Sequence, residues 1–215
     1  MTRPRVLKGL PDRMKSLPVD KRGFPIPKFV DWIDGEPDFR VLAPEHFARC
    51  LRHRKCWICG EQLGAYASFV IGPMCIINRI SSEPPSHREC AQFAAINCPF
   101  LSKPLAKRRT AGLPEDRHAP GLMIEHNPGV SCVWTTRTWG TMRVHNGILV
   151  QIGEPNDVEF YTEGRRATNA EVHASIAKGW PFLCEAADKD GGDQPKQIRR
   201  KRAEAERLVN LAVPP

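Results

Sequence analysis

Cys56 and Cys59 are separated by two residues, and so are His87 and Cys90 further along the same stretch. Thiolate and imidazole are good zinc ligands, and Cys3His is a common structural set for that ion. The full spacing is Cys-x2-Cys-x27-His-x2-Cys. A two-residue gap lets the chain of Cys56-Trp57-Ile58-Cys59 turn so that both sulfurs face one ion. Gly60 supplies the left-handed backbone such a knuckle calls for. Four protein ligands leave no open position for water, so the pattern favours a structural ion over a catalytic one. Two other readings of these residues stand beside zinc: cysteines buried as small hydrophobes, and an iron–sulfur cluster, which is more usually held by thiolates alone. Cys50, Cys75 and Cys98 are reserve ligands.

The ligands need elements to hold them. Ser86-His87-Arg88-Glu89 has the form of a capping box and predicts a helix with Ser86 as N-cap. His87 then opens the helix and Cys90 follows one turn on, so the two share a face. The partial positive charge of a helix N-terminus favours a thiolate there. Between the pairs, 67–71, Gly72-Pro73 and 74–78 read as a β-hairpin, with Cys75 in its second strand. Knuckle, hairpin and ligand helix is the order of a treble clef. That scaffold can also carry a ββα-metal nuclease centre. The hairpin here holds no histidine, and Asn78, Arg79 and Glu83 are the nearest candidates. His87 is already committed to the metal, so no catalytic residue is assigned.

Pro44 and the spacing of Phe47, Cys50 and Leu51 predict a helix leading into the knuckle. Before it, residues 1–43 read as a basic, proline-rich arm with a possible hairpin turning at Asp34-Gly35 between 29–33 and 39–42. Residues 44–103 form the metal module, and 104–121 a basic linker. Within 122–188, three β-rich runs at 130–136, 148–152 and 158–162 predict a small antiparallel meander. Thr168-Asn169-Ala170-Glu171 caps the helix that follows, with Pro181 set to kink or divide it. Residues 189–215 read as a charged, flexible or helical tail. Other acid–imidazole neighbours, such as Glu125-His126, have no partner identifiable from sequence. Walker, Rossmann and nucleophile-elbow patterns are absent from the sequence.

The formal net charge is +8, with basic runs in residues 1–30, 103–109 and 196–207. Such runs bind phosphate backbones by counterion release, or simply solvate the surface. Arg137, Arg143, Arg165 and Arg166 are further phosphate candidates. No stretch of about 20 apolar residues is present to span a membrane. The start, MTRPRVLKGLPDR, lacks the apolar core of a secretory signal. The expected setting of the eight cysteines is therefore the reducing cytoplasm, where clustered Cys and His more often bind metal than form disulfides.

The segments LPDRMKSLPVDKRGFPIPKFVDW, CWICGEQLGAYASFVIGPMCIINR, PPSHRECAQFAAINCPFL, EHNPGV and EGRRATNAEVHASIAKGWPFLCEAA resemble an uncharacterised family encoded in bacterial chromosomes and in phage or prophage regions. The resemblance covers the chain from about residue 10 to about residue 190. Cys56, Cys59, His87 and Cys90 match the family's pattern. The resemblance implies a bacterial or phage setting and one integrated unit, but no activity.

These observations together predict an α+β protein: a treble-clef-like zinc module joined to a β-meander with a C-terminal helix. The leading functional expectation is a non-enzymatic, zinc-stabilised binder of DNA or RNA through its basic segments. The rivals are a metal-dependent nuclease and an adaptor for a host or phage protein that uses Trp134, Trp139 and the meander face.

Overall fold

A computed structural model describes residues 7–40, 42–103, 106–107, 126–127, 129–145 and 147–214. The expected 104–121 linker and Glu125 lie almost wholly outside these residues, as do residues 1–6 of the arm. The fold is α+β with antiparallel sheets and C-terminal helices.

A four-stranded sheet forms the centre. Its strands are β3 (Ala67–Ile71), β5 (Ser131–Thr136), β8 (Asp157–Thr162) and β9 (Arg165–Arg166), in the order β3-β5-β8-β9. Segments 44–103 and 122–188 therefore share one sheet. The register Phe69↔Trp134, Val70↔Val133 sets the pleat. Phe69, Ile71, Cys132, Trp134 and Phe160 point into the main core. Val70, Val133 and Tyr161 point the other way and pack under the helix α3 (Arg88–Asn97), against Ala91, Ala95 and Ile96. Every residue of β5 is buried because the sheet is covered on both faces. Trp134 is 1% exposed, and its indole N–H donates to the Gly153 carbonyl at 3.0 Å. It is a core residue and offers nothing to a partner, which corrects its place in the expected adaptor face.

The segment 72–78 is not the second arm of a hairpin. Pro73–Asn78 is a helix, α2, with Pro73 in its first turn. Proline fixes a helical φ and has no N–H for a ladder. Met74, Ile76 and Ile77 are buried, and α2 packs on α4 (Asn169–Asp190) and α5 (Gln194–Ala212). The approach is close at Gly179, where an added Cβ would meet Met74 Cγ at 3.0 Å. Arg79 then takes a left-handed conformation, φ 56°, and Asn78 Oδ1 accepts from the Ile80 N–H. The chain turns there into β4 (Ile80–Ser81). The antiparallel partner of β3 within this segment is the residue before the ligand helix. Ser68 and Ser86 exchange backbone hydrogen bonds of 2.8 Å each way.

The meander is also corrected. β6 (Trp139–Val144) and β7 (Gly147–Ile152) form a hairpin that pairs with β4 in a separate three-stranded sheet. That hairpin is an excursion between β5 and β8, which pair with each other. Thr168 and Glu171 form the expected reciprocal box at the start of α4. The helix runs on through Pro181 to Asp190. α5 buries Ala205 and Val209, and Arg202 stacks 4.6 Å over the Trp180 ring of α4. At the other end of the chain, β1 (Asp31–Ile33) and β2 (Glu36–Asp38) pair about Asp34-Gly35, both at positive φ. The return strand thus begins earlier than 39–42. Met14, Phe24, Ile26, Phe29 and Val30 are buried, so the described part of the arm is packed onto the body.

Candidate metal centre

The knuckle is built by short-range hydrogen bonds. The Gly60 N–H donates to the Cys56 carbonyl at 2.8 Å, and the Cys56 N–H to the Glu61 carbonyl at 2.9 Å. Lys55 pairs with Gln62 across the turn. Gly60 has φ +83°, the left-handed conformation its position predicts. The turn is fixed to the arm as well: the Lys28 N–H donates to the Ile58 carbonyl at 2.7 Å.

The second pair is placed by α3, one residue away from the expected register. His87, with extended backbone, is the N-cap, and Cys90 lies three residues on. The predicted box is not made. The Ser86 hydroxyl donates to the Ser68 carbonyl at 2.9 Å, and the Glu89 carboxylate pairs with Arg13. Ser86 is thus needed to anchor the segment to β3, and Glu89 to hold the arm.

Cys56, Cys59, His87 and Cys90 come together with all four ligand atoms within 4.8 Å of one another. Cys56 and Cys90 are fully buried, and Cys59 is 8% exposed. The N–H groups of Cys59 and His87 both point at Cys56 Sγ, at 3.4 Å. Burial works against ionising Cys56, but hydrogen bonds from the Cys59 and Cys90 thiols and from these two amides outweigh it and hold the thiol down to about 3. Cys90 is pushed up by its hydrogen bonds to Cys56 and Cys59 and by burial. These hydrogen bonds favour the thiolate of Cys56, the form in which cysteine binds a metal ion.

His87 Nδ1 lies 3.3 Å from Cys59 Sγ, and Nε2 lies 3.0 Å from the Gln62 carbonyl. Nε2–H donating to Gln62 leaves the Nδ1 lone pair facing the thiols, the usual way a ligating imidazole is oriented from outside the site. The contact with Cys59 raises the imidazole's pKa, burial opposes it, and the Gln62 carbonyl adds to the rise. Arg13 from the arm closes the rim. Its Nη1 is 3.1 Å from His87 Nε2 and 2.7 Å from Glu61 Oε2, and its Nε pairs with Glu89.

The reserve cysteines stay outside. Cys50, Cys75 and Cys98 are not in the cluster, and burial pushes each thiol up, Cys50 to about 12 and Cys75 to about 11. All eight cysteines are free thiols. Asn78 and Arg79 serve the α2–β4 turn, and Arg79 pairs with Glu154.

A second polar cluster was missed in the sequence. The Glu159 side chain is 3% exposed and takes Arg88, Arg166 (2.6 Å), Gln92 (2.8 Å) and the Tyr161 hydroxyl (2.6 Å) as partners. Burial raises its pKa, and the bonds from Tyr161, Arg88 and Gln92 outweigh that and lower it. A charged residue alternating with apolar neighbours in Val158-Glu159-Phe160-Tyr161 was the only sequence signal.

No family model matches this chain, and neither the curated proteins nor the solved structures searched contain a match.

Proposed function

We propose that this protein is a zinc-clasped, non-enzymatic binder of nucleic acid, with Cys56, Cys59, His87 and Cys90 as a structural site. The observation that carries the metal reading is convergence of four buried or half-buried soft donors, one already oriented by the Gln62 carbonyl. Cys3His without an open position suits zinc and a structural role. In fold terms we read the knuckle, the β3–Ser86 pairing and α3 as a treble-clef-like unit with α2 and β4 inserted into its hairpin.

Nucleic acid is favoured as the partner by the net charge of +8. The resemblance to bacterial and phage proteins, together with eight free thiols, fits a reducing, cytoplasmic setting. No helix among the described residues is long and apolar enough to cross a membrane. Metal analysis of purified protein should return one zinc per chain, and binding to labelled DNA or RNA should weaken steeply with salt. Substoichiometric zinc overturns the clasp. Cleavage of plasmid DNA in Mg²⁺ or Mn²⁺ replaces the binder with a nuclease. A partner recovered from nuclease-treated lysate, without any affinity for nucleic acid, replaces it with an adaptor.

A further inference from the structure

Some arginines of the folded body are paired with carboxylates and others are not; Arg79 and Arg166, though paired, also lie over the rings of Trp134 and Tyr161. Arg79, Arg88, Arg165 and Arg166 each face a carboxylate: Glu154, Asp157 with Glu159, Glu171 and Glu159 respectively. Arg54 and Arg137 are exposed and have no carboxylate partner among the described residues. Each lies instead over an aromatic ring. Arg54 is 5.4 Å from the centroid of Trp139, and Arg137 is 4.9 Å from that of Tyr66.

The two pairs are neighbours. Tyr66 directly precedes Ala67, whose register partner is Thr136, so Tyr66 and Arg137 stand side by side at one end of the β3–β5 ladder. Two residues later Trp139 opens β6 and meets Arg54. Tyr66 is 46% exposed. Arg49 and Arg52, also exposed and without an ion pair among the described residues, extend the charge along the last turn of α1 (Pro44–Arg52). Those two also complement the negative end of their helix, so the weight rests on Arg54 and Arg137.

Planar guanidinium on aromatic ring, repeated and uncompensated, is the surface chemistry that single strands use. Unstacked bases lie on aromatic faces or on guanidinium planes, and the remaining N–H groups reach phosphate. A duplex hides its base faces and cannot use the rings. The metal clasp holds this ridge, because Arg54 sits at the mouth of the knuckle. Arg54 has φ 46°, and its carbonyl accepts from the Leu63 N–H at 2.9 Å. Tyr66 leaves the same loop on the far side.

We propose that the ridge Arg54–Trp139–Arg137–Tyr66 is a stacking platform for single-stranded nucleic acid. This rests on the nucleic-acid reading above and names the form of the ligand and its seat. The test is fluorescence anisotropy of the zinc-loaded full chain with labelled oligothymidine, oligouridine and a DNA duplex. Wild type should prefer either single strand over the duplex. Tyr66→Ala and Arg137→Ala should each weaken single-strand binding roughly 5- to 100-fold, while Tyr66→Phe binds as wild type. Both side chains are exposed, so thermal unfolding of the variants should match wild type. Salt-dependent binding that the two alanine variants leave unchanged, or a preference for duplex, overturns the platform and leaves nucleic-acid binding standing. No affinity for any of the three probes overturns both.

Discussion

Helix α3 carries two polar clusters on its first turns, and they solve opposite problems. On one side His87 and Cys90 meet Cys56 and Cys59, with all four ligand atoms within 4.8 Å of one another. On the other side Arg88 and Gln92 meet Glu159, an anion already surrounded by donors from three elements. The first cluster could hold a metal ion. The second is complete within the chain. Soft donors gathered in one buried group suit an external cation, whereas a buried charge paired on every side is satisfied and has no need of a ligand.

The widest gap between the two clusters should open on metal removal. Cys59→Ser or Cys90→Ser is expected to lose zinc and to give the largest drop in unfolding midpoint of any change described here. The loss should stay below the roughly 10–16 kcal/mol that zinc supplies to an isolated finger, because the central sheet has its own core. Metal analysis with thermal unfolding checks it, and a metal-free Cys59→Ser chain of wild-type stability would break the reading. Chelator should leave the Glu159 cluster intact.

Next in size is Glu159→Ala. It strands the Arg88 and Arg166 guanidiniums and the Tyr161 hydroxyl, at a cost of about 3 kcal/mol, the lower end for a broken buried pair because both arginines are half-exposed and can rehydrate. The pH dependence follows from the sign of the shift. The folded-state pKa lies below the usual 4.5, so the stabilisation is present above the unfolded value. It is lost as pH falls through the lowered folded value. Denaturant unfolding at stepped acid pH should therefore show the gap between wild type and Glu159→Gln closing in that window.

Arg13→Ala probes the clasp without replacing any of the four donors, removing only the side chain that lies against His87. Its partners Glu61 and Glu89 are half-exposed, so about 1 kcal/mol is expected. The diagnostic result is faster limited proteolysis within residues 7–30 with zinc retained. Loss of zinc in this variant would instead make Arg13 part of what holds the ion. Thr168→Ala, which replaces no residue of either cluster, sets the scale for a simple cap at about 1 kcal/mol.

The Cys56/Cys59/His87/Cys90 cluster was legible in the sequence and the Glu159 cluster was not, for a reason of distance along the chain. Two x2 pairs are local signals, since each is placed by a turn or a helix start. Glu159 meets Arg88 across 71 residues, and only the β5–β8 register brings them together. The same contrast explains the corrections. Pro73 and the apolar run behind it satisfy a strand or a helix equally well in isolation. The choice fell to the surface against α4 and α5, which the local sequence does not contain. Ser86 had two possible uses for its hydroxyl, cap or anchor, and the nearby Ser68 carbonyl decided it.

By itself, then, the sequence determined the Cys56-x2-Cys59 and His87-x2-Cys90 pairs, the knuckle with its left-handed Gly60, the Asp34-Gly35 turn and the Thr168 cap, because each is settled within a few residues. Tertiary structure alone decided that β3 joins β5 across the chain, that 139–152 leaves the central sheet, and that Arg54 and Arg137 meet rings rather than carboxylates. Those outcomes depend on which surfaces are brought face to face, a property of the folded whole and not of any short stretch.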